Sequence, residues 1–121
     1  MNDPRISREV EDTFLKFDGE RYNLLEWVIM PNHVHVLIET FQGHTLKNVL
    51  HSWRSYTASQ ANKILGRTGR FWARGKFERF IRDEEHFEAV TRYIRMNPVK
   101  AGLVAEPEQW EFSSAAWRSR R

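Results

Sequence analysis

Met30-Pro31-Asn32-His33-Val34-His35-Val36-Leu37-Ile38 sets two histidines one residue apart in a run that otherwise reads as a buried strand. Side chains alternate faces along a strand, so His33 and His35 project together while Val34, Val36 and Ile38 turn the other way into a core. Neutral imidazole is the commonest protein metal ligand, and a strand holds two of them more rigidly than a loop would. The pair therefore reads as a metal clamp, beside the plainer reading of two half-exposed polar residues opposite an apolar face.

The pattern around the clamp predicts an α+β domain. Ile6, Val10, Thr13, Phe14 and Phe17 recur at helical spacing over residues 5–17, ending at Asp18-Gly19. Residues 22–30 read as a strand, Pro31-Asn32 as a break and residues 34–39 as the next strand of an antiparallel hairpin. Thr45 is a suitable N-cap for a long helix reaching Gly66, and residues 69–81 read as one or two short strands with a bend at Gly75. Asp83 is expected to cap a second long helix carrying Phe87, Val90, Tyr93 and Ile94, which should weaken at Asn97 because a residue before proline is pushed from helical angles. Trp110, Phe112 and Trp117 suggest a tail folded back on the domain with a free basic end. The order α-β-β-α-β-α implies helices covering an antiparallel sheet.

A chain of 121 residues fits one domain, residues 1–121, with a single core. Without cysteine it has no disulfide, thiolate zinc site or thiol nucleophile. No apolar run approaches the ~18 residues of a membrane span and no signal-peptide core opens the chain, so a soluble, cytoplasmic protein is expected. The formal charge is only +3, yet residues 51–82 hold Arg54, Lys63, Arg67, Arg70, Arg74, Lys76, Arg79 and Arg82 against the single carboxylate Glu78. Interleaved with Phe71, Trp72, Phe77 and Phe80, these cations suit a polyanion with stackable bases: charge for phosphates and ring faces for unpaired bases. A solvated basic face is the alternative.

A catalytic metal needs a further protein ligand, and Asn97, His86 and Glu39 are candidates. Tyr93 and Asn97 lie four apart, so on a helix they share a face, setting a hydroxyl beside an oxygen donor. A free tyrosine, with its pKa near ~10, is a poor nucleophile at neutral pH. A divalent metal on a scissile phosphate would let an aligned phenol attack it, giving a phosphotyrosine. An isolated helical tyrosine such as Tyr93 is most often an ordinary packing aromatic, and Asn97 reads as readily as a helix C-cap. Tyr22 is a weaker nucleophile, and Tyr56, with Gln60 four residues on, is held in reserve; His44 and His51 suit phosphate contacts.

The histidine motif is followed by Phe71-Trp72-Ala73-Arg74-Gly75-Lys76-Phe77, Arg82-Asp83-Glu84-Glu85-His86, Tyr93-Ile94-Arg95-Met96-Asn97-Pro98-Val99-Lys100-Ala101-Gly102-Leu103 and Trp110 to Ser114. On these ordered motifs, from about residue 5 to residue 117, the chain resembles the REP-associated tyrosine transposases of the HUH single-strand DNA endonuclease superfamily. The resemblance implies an HUH-endonuclease fold, a ferredoxin-like or RRM-like sandwich. It also implies metal-dependent cleavage and rejoining of single-stranded DNA at REP-like hairpins. In that scheme His33 and His35 hold magnesium or manganese, Asn97 is the third ligand and Tyr93 takes the 5′-phosphate. Arg54, Lys63, Arg67, Arg70, Trp72, Arg74, Lys76, Arg79 and Arg82 are the expected DNA contacts. Relatives usually begin with a strand before the first helix, whereas only Met1 to Pro4 precede it here. An open edge beside the histidine strand, filled by another chain, is therefore one expectation, and either a monomer or a homodimer fits. Two alternatives are a hairpin-binding module without cleavage and a metal-dependent hydrolase that uses water.

Overall fold

The computed structural model describes residues 3–31, 33–66, 77–81 and 83–120, with 77–79 and 81 described by their backbone. Helix α1 (Pro4–Lys16) leads into strands β1 (Tyr22–Ile29) and β2 (Val34–Thr40), then helix α2 (Leu46–Leu65), strand β3 (Phe77–Ile81), helix α3 (Phe87–Lys100) and a short helix α4 (Ser114–Ser119). The expected α+β order is present.

The sheet runs β1-β2-β3, so the histidine strand is central. β1 and β2 form the antiparallel hairpin, whereas β3 joins β2 in parallel, from Val34↔Phe77 to Ile38↔Ile81. Both edges of the histidine strand are thus occupied, which corrects the expectation of an open edge there. The outer side of β1 is covered by the tail: Ser113 bridges Val28, and Ile29 N–H donates to Phe112 O at 2.9 Å.

Alternation along β2 divides the core in two. Val34, Val36 and Ile38 turn toward α1 and α2, joining Ile6, Val10, Phe14, Val49 and Trp53. Leu37 turns the opposite way and packs with Val28, Met30 and Ile94 of α3. The first layer is pinned by Tyr22, whose hydroxyl donates to Phe14 O at 2.6 Å and accepts from Trp53 Nε1 at 2.9 Å. These three rings are fully buried, with Phe14 and Tyr22 centred 4.7 and 5.0 Å from Trp53.

Three local expectations are corrected. Asp83 commits its side chain to the turn before α3, accepting from Glu85 N–H at 3.0 Å, and the helix starts one turn later with His86 as its N-cap. Pro98 lies inside α3, so Asn97 does not end it. Pro98 removes one N–H donor from the last turn, and the helix closes on Gly102, at φ +76°, through Gly102 N–H to Val99 O and Leu103 N–H to Pro98 O, both 3.0 Å. The tail packs back as expected, with Trp117 centred 5.7 Å from Trp27, but its basic end is engaged: Arg118 pairs with Glu26, and Arg120 approaches Glu11 at 4.0 Å. No described helix is long and apolar enough to cross a membrane.

Candidate active site

His33 and His35 stand where the hairpin turns. Met30 N–H donates to His33 O at 2.8 Å, closing the Pro31 turn, and His35 lies opposite Val28 in the ladder. Their rings meet edge to face with centroids 4.6 Å apart. His35 is 3% exposed and His33 half-buried, so one ring is walled in while the other faces the opening.

Tyr93 closes the other side. Ile94, fully buried against β1 and β2, anchors α3, and its neighbour Tyr93 is left 42% exposed at the rim. The Tyr93 ring is 5.4 Å from that of His35 and 6.1 Å from that of Phe80, both edge to face. Asn97 follows one turn on along the same face of α3, half-buried. The structure therefore brings His33, His35 and Tyr93 together between the sheet and α3, with Asn97 one helical turn from Tyr93. Two imidazoles from a rigid hairpin and a carboxamide oxygen are a mixed nitrogen and oxygen set suited to a divalent ion such as manganese or magnesium.

Glu39, Tyr22 and Tyr56 fall away on position. Glu39 lies four residues beyond His35, about 13 Å along the strand, and accepts from Asn23 Nδ2 at 3.1 Å. Tyr22 is fully buried with its hydroxyl engaged twice, and burial pushes its pKa up. Tyr56 sits on α2, on the far side of the sheet, with Lys16 Nζ 4.8 Å above its ring. Of the three tyrosines in the chain, only Tyr93 stands beside the histidines. His86 forms a separate exposed group with Asp83 and Glu85, their potential ligand atoms within 4.8 Å of one another.

The expected DNA contacts divide. Arg54 and Lys63 are exposed on α2, which covers the sheet face opposite Tyr93. Arg67, Arg70, Trp72, Arg74, Lys76 and Arg82, with the Arg79 side chain, lie outside the described residues. α2 contains no acidic residue, and Lys47 and His51 extend Arg54 into one exposed basic stripe on it.

One part of the site escaped sequence reasoning. The ladder slips between Leu24 and Glu26, a bulge that inserts Leu25 and puts Glu26 on the same face as Val28, Leu37 and the histidines. Buried there, Glu26 accepts from Arg95 Nε at 2.7 Å and Ser114 Oγ at 3.1 Å and also from Arg118. The pairing holds the Arg95 guanidinium even more firmly protonated than usual. A carboxylate between Leu25 and Trp27 in the apolar run from Leu24 to Met30 was the available signal.

Comparison with known proteins gives the same direction. The family model "Transposase IS200 like" matches residues 5–97. The REP-associated tyrosine transposase of Escherichia coli (strain K12) is 28% identical over 97 residues, covering 77% of this chain and 54% of that protein. The chain thus spans about half the length of the curated relative it matches. No solved structure matches. With the family match spanning most of the chain, this protein belongs to the IS200-like transposase family.

Proposed function

We propose that this protein cleaves and rejoins single-stranded DNA, using Tyr93 as nucleophile and His33, His35 and Asn97 as holders of a divalent magnesium or manganese ion. The observation that carries the reading is the 5.4 Å separation of the Tyr93 and His35 rings, which sets a phenol beside the paired imidazoles within one chain. When bound, the ion would neutralise charge on the scissile phosphate and favour departure of the leaving oxygen.

The chain's own groups account for the rest. Tyr93 Oη attacks phosphorus in line, forming a tyrosine–phosphate ester as the bond to the 3′ oxygen breaks; the phenolic proton passes to solvent, and the departing 3′ oxygen takes a proton from solvent to become a hydroxyl. The freed 3′-hydroxyl can later attack that ester and regenerate tyrosine, so the phosphodiester energy is conserved and no nucleotide cofactor is required. Partial exposure of Tyr93 leaves room for a strand to approach, and burial of His35 keeps its ring from swinging away. The basic stripe on α2 would hold more distant phosphates, such as those of a hairpin stem. Because Tyr93 and His35 meet within one chain, catalysis in cis is the expected arrangement.

The test is denaturing electrophoresis of labelled single-stranded and REP-like hairpin oligonucleotides after incubation with manganese. A covalent adduct present in the wild type and in Tyr56→Phe, but lost in Tyr93→Phe, supports the reading. An adduct that persists in Tyr93→Phe removes the nucleophile assignment. Strand breakage without an adduct indicates a water-using hydrolase, and salt-dependent binding without breakage a recognition module.

A further inference from the structure

A groove of about 640 Å³ opens directly on Tyr93 and is lined by Phe80, Asp83, His86, Ala89, Val90 and Tyr93. Its size is within the range of sites that enclose a small organic ligand, about 300–1,000 Å³. Its walls are of two kinds. Phe80, Ala89, Val90 and the Tyr93 ring are apolar, whereas the end distant from Tyr93 holds the Asp83 carboxylate and the His86 imidazole.

That polar end is preset. Asp83 Oδ1 accepts from Glu85 N–H at 3.0 Å, and Oδ2 lies 3.2 Å from His86 Nδ1. These contacts hold the Asp83 carboxyl below its usual range, so it is an anion at neutral pH. Each Asp83 carboxylate oxygen keeps a spare lone pair. The end of the groove therefore offers acceptors, and with Glu84 and Glu85 alongside it repels phosphate. A planar ring with donors on its edge is complementary to such a surface, and a phosphodiester is not.

We propose that this groove is a nucleobase pocket, which takes the unpaired base flanking the scissile phosphate and prefers guanine. The proposal rests on the reading of Tyr93 as the nucleophile. Unpaired bases expose their Watson–Crick edge, and guanine alone presents two adjacent donors, N1–H and N2–H2, to match one carboxylate. Cytosine and adenine each offer an amino group. Thymine flanks its single N–H with two carbonyls that a carboxylate repels. Phe80 and Val90 would cover the ring, and Asp83 would act as a specificity residue without touching the reacting atoms.

The experiment uses oligonucleotides that differ only in the nucleotide on either side of the cut, including an abasic one. Two quantities are read with manganese present: single-turnover adduct formation and equilibrium binding by fluorescence anisotropy. On one side of the cut guanine should exceed thymine by about tenfold, and Asp83→Asn should reduce that ratio to near unity. Ala89→Leu, which fills the groove, should make every base behave as the abasic site does. An unchanged base order in Asp83→Asn, or an abasic substrate equal to guanine in the wild type, would overturn the pocket while leaving the tyrosine chemistry intact. Loss of manganese binding in Asp83→Asn with an unaltered base order would make the Asp83, Glu85 and His86 group a metal site and equally overturn the proposal. If the wild type forms no adduct on any substrate, the nucleophile reading fails instead, and the anisotropy ratios and their response to Asp83→Asn still decide the groove.

Discussion

The Arg95 guanidinium donates to the buried Glu26 carboxylate at 2.7 Å, two residues along α3 from Tyr93. Between them Ile94 is fully buried against β1 and β2. A helix held by two adjacent residues about 100° apart around its axis has little freedom to rotate, so the azimuth of Tyr93 follows from these two contacts. The bulge at Leu25 makes this possible, because without it alternation would turn Glu26 toward the α1 and α2 layer.

Arg95→Leu tests this coupling. The Arg95 side chain is 45% exposed and Glu26 keeps Arg118 and Ser114, so the loss of stability should be about 1 kcal/mol, well below that of breaking a fully buried pair. Urea unfolding gives that value. In folded Arg95→Leu the rate of adduct formation should fall at least about tenfold, about 1.4 kcal/mol in the barrier, with the apparent KM for the oligonucleotide little changed. An unaltered rate would confine the ion pair to a stabilising role.

Metal binding should register in stability as well as in activity. Manganese at 100 times its dissociation constant should stabilise the folded state by about 2.7 kcal/mol, visible as a rise in Tm. His33→Ala should abolish that rise, and because His33 is only half-buried the variant should still fold. A full manganese shift in His33→Ala would place the ion elsewhere, the exposed group around His86 being the alternative.

The apolar period and its interruptions made the elements legible. Val34, Val36 and Ile38 assigned one face of β2 to the core and thereby the other to His35, and the i, i+4 spacing of Tyr93 and Asn97 put both on one face of α3. Boundaries that depend on side-chain competition were not legible. Asp83 was free to cap a helix or to bond Glu85 and His86, and Asn97-Pro98 was free to end α3 or ride within its last turn. Pairing direction was hidden too, since nothing in residues 77–81 states that β3 runs parallel to β2. Glu26 stands 69 residues from Arg95 and 92 from Arg118, and only the folded chain brings them together.

Glu11 makes stability depend on pH in a defined direction. It is buried, accepts from Trp27 Nε1 at 2.9 Å, and desolvation raises its pKa above the ordinary 4.5. The fold therefore favours the protonated acid: this contribution is complete below the unfolded value and is lost as pH rises through the raised folded value. Glu11→Gln keeps an oxygen for Trp27 and removes the charge. The variant should match the wild type in acid and gain on it as pH rises from about 4.5, remaining more stable at neutral pH. Arg120, the cation that approaches Glu11, is half-exposed and 4.0 Å away, so its attraction for the carboxylate weighs little against that gain. Thermal unfolding of both proteins across pH measures the difference, and a variant less stable at pH 7 than at pH 4 relative to wild type would contradict it.

Gly102 sets where the tyrosine helix stops. Its φ of +76° allows Leu103 N–H to reach Pro98 O and its own N–H to reach Val99 O, satisfying two carbonyls of the last turn. A Cβ there meets nothing within 4 Å, so the cost of a substitution is that of the left-handed backbone alone. Gly102→Ala should therefore cost about 1 kcal/mol and lower Tm by roughly 4 °C, and Gly102→Asn less, because asparagine tolerates this region. Tyr93 lies more than two turns upstream and is fixed by Ile94 and Arg95, so adduct formation at a temperature where Gly102→Ala is fully folded should match the wild type. A slow but fully folded Gly102→Ala would mean that the end of α3, and not the Glu26 anchor, governs the placement of Tyr93.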